Sequence, residues 1–201
     1  ISKLFNAVAV MQLAEQGKLD LDAPVERYAD GLVPVNPFTN GTPVTLRQLL
    51  CHRSGMIRES PVGGYLDDSQ PDLARTIANV PQTVLVNPPN LKTRYSNVGP
   101  SIAGRVVELV SATRYDHYQQ DHILEPLGMA SSAWLRRDLA RGRLVKSWLR
   151  VADGRGGFIR QRCPEFDLGT IPAGNLYTTA EDLARFVAML AADGRTPNGQ
   201  M

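Results

Sequence analysis

Lys3, Tyr95 and Asn97 are the side chains of this 201-residue chain whose types could move a proton at a carbonyl. Lys3 falls in the first turn of a candidate helix. A serine three residues ahead of such a lysine gives S-x-x-K, a pattern used for nucleophilic attack. Positions i and i+3 share one helix face, so hydroxyl and amine can meet. A helix N-terminus also favours developing negative charge. Ile1 and Ser2 then occupy the two middle places, and the nucleophile position falls one residue before Ile1. Ser2 is a poor substitute. It is adjacent to Lys3 and roughly 100° round the helix, so the two side chains diverge.

Tyr95-Ser96-Asn97 supplies complementary groups. In an extended segment, residues i and i+2 point the same way, so Tyr95 and Asn97 are expected to face one cavity and Ser96 to turn away. A phenol and an alkylamine both titrate near about 10, and neither alone is a good base at neutral pH. A phenolate beside an ammonium is stabilised, so a Lys-Tyr pair can shuttle a proton. An Asn amide can hold the lysine and donate to a substrate oxygen. Taken alone, the tripeptide also fits a plain turn after a proline-rich strand.

Other candidates carry less. His117 and His122 are five apart, the wrong spacing for two ligands on one helical face, and no carboxylate pattern completes a metal site. Gly99-Pro100-Ser101-Ile102-Ala103 echoes a nucleophile elbow but lacks its second glycine. An α/β-hydrolase also needs a late histidine, and none follows His122. Cys51 and Cys163 form no CxxC and fix no compartment. Cys51 lies in an apolar stretch and is expected to be a buried small hydrophobe.

Several helices must position these groups. Residues 1 to 16 read as an amphipathic helix with Leu4, Val8 and Met11 on one stripe. Phe5, Ala14, Val10 and Leu13 widen the apolar face, and Gly17 supplies a stop. Residues 18 to 44 carry repeated Asp, Pro and Gly and read as an irregular connection. Thr45 is expected to cap a short helix through Leu46, Leu49 and Leu50. A helix near Pro71 would bury Leu73, Ile77 and Val80, and residues 81 to 94 look extended. After Asn97 a helix should bury Ile102, Val106, Leu109 and Val110, and another should cover roughly 114 to 124. The last helix starts after Thr178 and Thr179. Thr178 and Glu181 have capping-box spacing, and Leu183, Phe186, Val187 and Leu190 form the expected buried stripe.

Composition is that of a globular protein, with 43% hydrophobic and 21% charged residues. A net charge of +2 gives no footprint for a nucleic-acid partner. No apolar run approaches the ~20 residues of a membrane helix, and no signal peptide is recognisable. Residues 136 to 162 hold eight arginines and one lysine against Asp138 and Asp153. They read as a solvated hairpin or loop, with a carboxylate-attracting rim as the sharper alternative. Nothing marks a second domain, a repeat or a low-complexity tract.

The ordered series GKLDLDAPV (17–25), VTLRQLLCHRSGM (44–56), RYSNVG (94–99), ILEPLGM (123–129) and PAGNLYTTAEDLARF (172–186) resembles the class C β-lactamase and D-Ala-D-Ala carboxypeptidase family, with its esterase relatives. The resemblance covers nearly the whole chain; 57 to 80 and 136 to 165 are its least recognisable parts. It implies an α/β fold of the serine β-lactamase and DD-peptidase type. The stretch 1–201 would be a single partial domain, mostly helical lobe and loops with few strands. It implies an acyl-enzyme mechanism. The serine ahead of Ile1 would attack, Lys3 and Tyr95 would take and return the proton, and Asn97 would bind substrate and orient Lys3. A third motif, Lys-Thr-Gly or His-x-Gly, normally follows the TTAEDLARF helix. The resemblance makes His52 structural, which suits its place at a helix end before Gly55. Pro88-Pro89-Asn90 stands where the family often has Pro-Gly and reads as a turn variant.

No cofactor and no metal is expected, and the partner is a small-molecule or peptide substrate. The substrate would be a β-lactam, a D-alanyl peptide or a small ester; the Tyr-Ser-Asn form does not choose, though the reading leans away from a dedicated β-lactamase. A non-catalytic relative that binds a ligand or partner would carry another residue ahead of Ile1. The α/β-hydrolase reading would make Ser101 essential and Lys3 dispensable. The 201-residue chain by itself is expected to be inactive and marginally stable, with apolar helix faces exposed. Family relatives are often exported, and the sequence itself names no compartment.

Overall fold

The computed structural model describes residues 1–38, 41–196 and 199. Helix α1 spans Ser2–Glu15 and ends where Gly17 turns to φ +70°. That turn lets the Lys18 and Leu19 amides bond back to the Leu13 carbonyl at 2.9 and 3.2 Å, which satisfies the helix end. Short helices α2 (Leu46–Leu50) and α3 (Leu73–Ile77) follow. Thr45 caps α2 as expected. Its hydroxyl accepts from Gln48 N at 3.3 Å while the Gln48 side chain accepts from Thr45 N at 3.1 Å, a reciprocal capping box. Asp72 caps α3 through the Arg75 amide at 2.7 Å.

Helix α4 is Val98–Ser111, and α5 is Tyr115–Gln119 continued by a π-turn over Gln120–Leu124. An antiparallel hairpin, β1 (Trp148–Ala152) and β2 (Phe158–Arg162), comes next, with Trp148 opposite Arg162 and Ala152 opposite Phe158. Helices α6 (Ile171–Gly174) and α7 (Ala180–Ala191) close the order. The hairpin is the one sheet among the described residues, so the chain is mostly helix and loop, as expected. The second half of the basic stretch forms this hairpin, which is solvated along both strands, and its start forms a 3-10 turn at Arg136–Asp138.

The core wraps α1. Its face Phe5, Ala9, Val10 and Leu13 is buried against α4, α5 and α6. Asn6 ties α1 to α4 by donating to the Pro100 carbonyl at 2.9 Å. Phe5 stacks on Phe186 of α7 with centroids 3.7 Å apart, and Trp134 meets both Phe5 and Tyr115 edge-on. Each such aromatic pair adds about 1 kcal/mol beyond the area it buries.

Several expectations need correction. Leu4 and Met11 are 56% and 43% exposed, and the buried face of α1 is rotated from the expected stripe. The helix is apolar nearly all round, so periodicity could not select its inner side. On α7, Phe186 and Met189 are buried while Val187 and Leu190 are exposed. Leu4, Met11, Met189 and Leu190 share one open apolar groove of about 350 Å³ between α1 and α7. Leu109 of α4 is also exposed, and Val98, Ala103 and Val107 take the inner positions instead. The cap of α7 is Thr179, whose hydroxyl accepts from Asp182 N at 3.2 Å, one residue beyond the expected Thr178–Glu181 pair. Asp182 is buried because Ser131 N, the Ser132 hydroxyl and Arg185 all donate to its carboxylate. Cys51 is exposed and Cys163 half-buried, and both are free thiols. Cys51 sits just past α2, where the chain has already turned outward.

Helix α4 ends on Ala112 at φ +53°, a left-handed residue with a Cβ. That conformation costs an L-residue about 1–2 kcal/mol, and glycine is its usual occupant. Glycine would cost the helix nothing here, but it would add chain entropy to the unfolded state. Ala112→Gly is therefore expected to stabilise the protein by about 0.5–1 kcal/mol, raising Tm by about 2 °C in thermal denaturation. A fall in Tm would show that the entropy cost wins.

Candidate active site

The first turn of α1 delivers Lys3. Its ammonium donates to Asn97 Oδ1 at 2.8 Å and to the Ala173 carbonyl at 2.7 Å. The same nitrogen lies 4.9 Å from the centroid of the Tyr95 ring. Residues separated by more than ninety positions in sequence thus meet at one point, and α6 contributes a backbone oxygen.

The turn that carries Tyr95 and Asn97 is pinned from outside. Asn97 N donates to the Arg58 carbonyl at 2.7 Å, and Arg94 N donates to the His52 carbonyl at 2.7 Å. Ser96 does turn away from Lys3. It is fully buried, its hydroxyl donates to the Ile57 carbonyl at 2.7 Å and accepts from Gly99 N at 3.1 Å. Asn97 is 3% exposed and Tyr95 46%, so the amide forms the floor and the phenol the rim. Gly55 makes the neighbouring fold possible. It holds φ +79°, and a Cβ there would stand 2.1 Å from the Asn87 carbonyl oxygen.

His52 sits beneath this rim. Its ring lies 4.6 Å from the Tyr95 ring, and its Nδ1 accepts from Ser96 N at 3.3 Å. Burial, and secondarily the Lys3 charge, hold the imidazole below its ordinary pKa. A neutral ring is what an Nδ1 acceptor requires. His52 therefore supports the Tyr95 turn from behind, in a left-handed conformation at φ +57°. Asn90 turns the Pro88-Pro89-Asn90 loop at φ +65°, a conformation that asparagine tolerates and glycine commonly fills.

The hydroxyls of Ser2 and Ser101 are both buried and engaged elsewhere. Ser2 is buried, and its hydroxyl accepts from Leu176 N at 3.3 Å. Ser101 is fully buried within α4 and donates to the Asn97 carbonyl at 2.7 Å. Among the described residues no group of three or more His, Cys, Asp or Glu side chains could hold a metal ion. No described helix is long and apolar enough to cross a membrane.

Sequence reasoning missed two partners. The Glu59 carboxylate accepts from Asn97 Nδ2 at 2.8 and 3.0 Å. It lies in the stretch 57 to 80, where the resemblance is weakest. The Ala173 carbonyl was invisible for another reason: a backbone oxygen leaves no mark in a side-chain pattern.

The arrangement has a definite chemical capacity. A neutral lysine amine carries two N–H donors and one lone pair. Asn97 Oδ1 and the Ala173 carbonyl match the two donors. The lone pair is then left at the third position, free to accept a proton.

A helix start bearing lysine beside a Tyr-x-Asn turn, on a mostly helical lobe, falls in the class of penicillin-recognising serine hydrolase folds. The Beta-lactamase family model matches residues 1–201, and the chain belongs to that family. Penicillin-binding protein 4 of Amycolatopsis lactamdurans is 30% identical over 99% of this chain and 51% of its own length. The D-alanyl-D-alanine-carboxypeptidase/endopeptidase AmpH of Escherichia coli is 27% identical over 93% of this chain and 46% of its own. The octameric penicillin-binding protein homologue from Pyrococcus abyssi superposes with TM-score 0.73 at 30% identity, over 96% of this chain and 44% of that one. The chain thus spans about half the length of these relatives.

Proposed function

We propose that the full-length protein is a serine hydrolase working through an acyl-enzyme on a β-lactam, a D-alanyl peptide or a small ester. The residue ahead of Ile1 is the nucleophile, three positions before Lys3. Lys3 and Tyr95 take its proton and return it to the leaving group. Asn97 orients Lys3 and faces the substrate.

One observation carries this reading: Lys3 Nζ is fixed between Asn97 Oδ1 and the Ala173 carbonyl with the Tyr95 ring beside it. A lysine on a helix N-terminus normally waves in solvent, because ordering a long side chain costs up to about 2 kcal/mol. Here two strong acceptors hold it, which is what a base with one free lone pair requires. The family membership supports the hydrolytic class, and the names of the relatives suggest amide-type acyl donors.

The test is covalent labelling of the full-length protein with a fluorescent penicillin and with a fluorophosphonate, followed by peptide mass spectrometry. The adduct is expected on a serine directly preceding Ile1. An adduct on Ser101, or no adduct and no turnover of any of the three substrate types, overturns the proposal.

A further inference from the structure

We propose that Glu59 is a positioning residue of this site, fixing the Asn97 amide in the one orientation that holds Lys3 as a base. The inference rests on the acyl-transfer reading above and adds a residue to it.

An asparagine amide has two unlike ends. Its oxygen only accepts and its nitrogen only donates. Lys3 is a donor, so Asn97 must present Oδ1 to it, as found at 2.8 Å. The opposite end, Nδ2, then needs an acceptor. Glu59 supplies both carboxylate oxygens, at 2.8 and 3.0 Å. Flipping the amide would set two donors against each other at Lys3 and two acceptors against each other at Glu59. The carboxylate therefore removes the wrong rotamer by repulsion at both ends.

The surroundings show that the orientation depends on Glu59. Asn97 is 3% exposed, so no bulk water is there to satisfy a flipped amide. The charged groups around the carboxylate are Arg58, which donates from Nε to Oε1 at 3.3 Å, and Lys3 on the far side of the amide. The Arg58 guanidinium also lies 5.2 Å from the Tyr95 ring. Glu59 is about one-third exposed, so it reaches the amide from the rim without being part of the core. Among the described residues it makes no hydrogen bond or ion pair to Lys3 or Tyr95, and its effect passes through Asn97.

Two variants of the full-length protein separate this role from its alternatives. Glu59→Ala removes the acceptor. Glu59→Gln keeps an oxygen that can accept from Nδ2. With one acyl donor, Glu59→Ala is expected to lower kcat by at least about tenfold, with KM changed by less than about threefold. Glu59→Gln is expected to restore kcat to within about threefold of wild type. Loss in KM alone, or equal damage in both variants, overturns the proposal, because it assigns Glu59 to substrate contact or to its charge. An unchanged Glu59→Ala overturns it as well.

A second readout does not depend on turnover. With selectively labelled asparagine, the Asn97 side-chain amide should give two well-separated proton signals in wild type and in Glu59→Gln. In Glu59→Ala the pair should move or broaden. No change in Glu59→Ala overturns the positioning role even where wild type fails to acylate. A change there without any acylation leaves positioning intact and removes the acyl-transfer reading instead.

Discussion

Lys3→Ala in the full-length protein is expected to slow acylation by about 10³-fold, within the range that losing a general base costs. The substitution removes the group that bridges Asn97 Oδ1 and the Ala173 carbonyl. On the proposed mechanism the attacking hydroxyl then has no amine to receive its proton, and a phenol is in general a poor replacement for that base. Stability should fall far less than rate, because Lys3 is only half-buried and its removal opens its own place to water beside the two acceptors. Lys3→Arg should not rescue. A guanidinium stays protonated and has no lone pair to offer. The measurement is the burst rate with a chromogenic β-lactam or an activated ester, alongside a thermal melt. A rate within tenfold of wild type at unchanged Tm would remove Lys3 from the mechanism.

How far the sequence carries can be judged at particular residues. The meeting of Lys3 with Tyr95 and Asn97 was legible because their chemistry is in their side chains, and Tyr95 and Asn97 sit in a recognisable run. Thr45 was legible because a threonine just ahead of an apolar helical run is a local N-cap pattern. The inner face of α1 was not legible. Leu4, Phe5, Val8, Ala9, Val10, Met11 and Leu13 crowd every side, so the choice between Leu4 and Phe5 was made by packing. Phe5 won because Phe186 and Trp134 meet it from α7 and the loop before the hairpin. Those contacts join residues far apart in sequence, which no period can encode. Thr179 displaced Thr178 as the cap for a similar reason. Asp182 is drawn inward by Ser131 and Ser132, and that sets the register of the first turn. Glu59 needed the fold as well, since nothing in its neighbours marks it as Asn97's partner.

Gly104→Val is expected to destabilise the protein by about 3 kcal/mol, lowering Tm by roughly 6–12 °C. Gly104 lies in the interior of α4, where glycine is a poor helix former. On propensity alone a valine or alanine should help, by up to about 1 kcal/mol. The packing reverses that sign. A Cβ at this position would stand 2.2 Å from Pro172 Cγ, 2.8 Å from Pro172 Cβ and 3.1 Å from Tyr115 Cε2. A proline ring cannot rotate aside, and Tyr115 is fully buried with its ring held edge-on by Trp134. Relief must come from moving α6 away from α4. Pro172 lies in the first turn of α6, and the next residue, Ala173, provides the carbonyl that holds Lys3. The same substitution should therefore cost activity beyond its cost in stability, because the amine loses one of its two acceptors. Gly104→Ala tests the balance with a single carbon. It should still lower Tm, and a rise would show that α4 and α6 can part without strain. Close approach at Gly104 then links the helix packing directly to the geometry at Lys3, more than a hundred residues away in sequence.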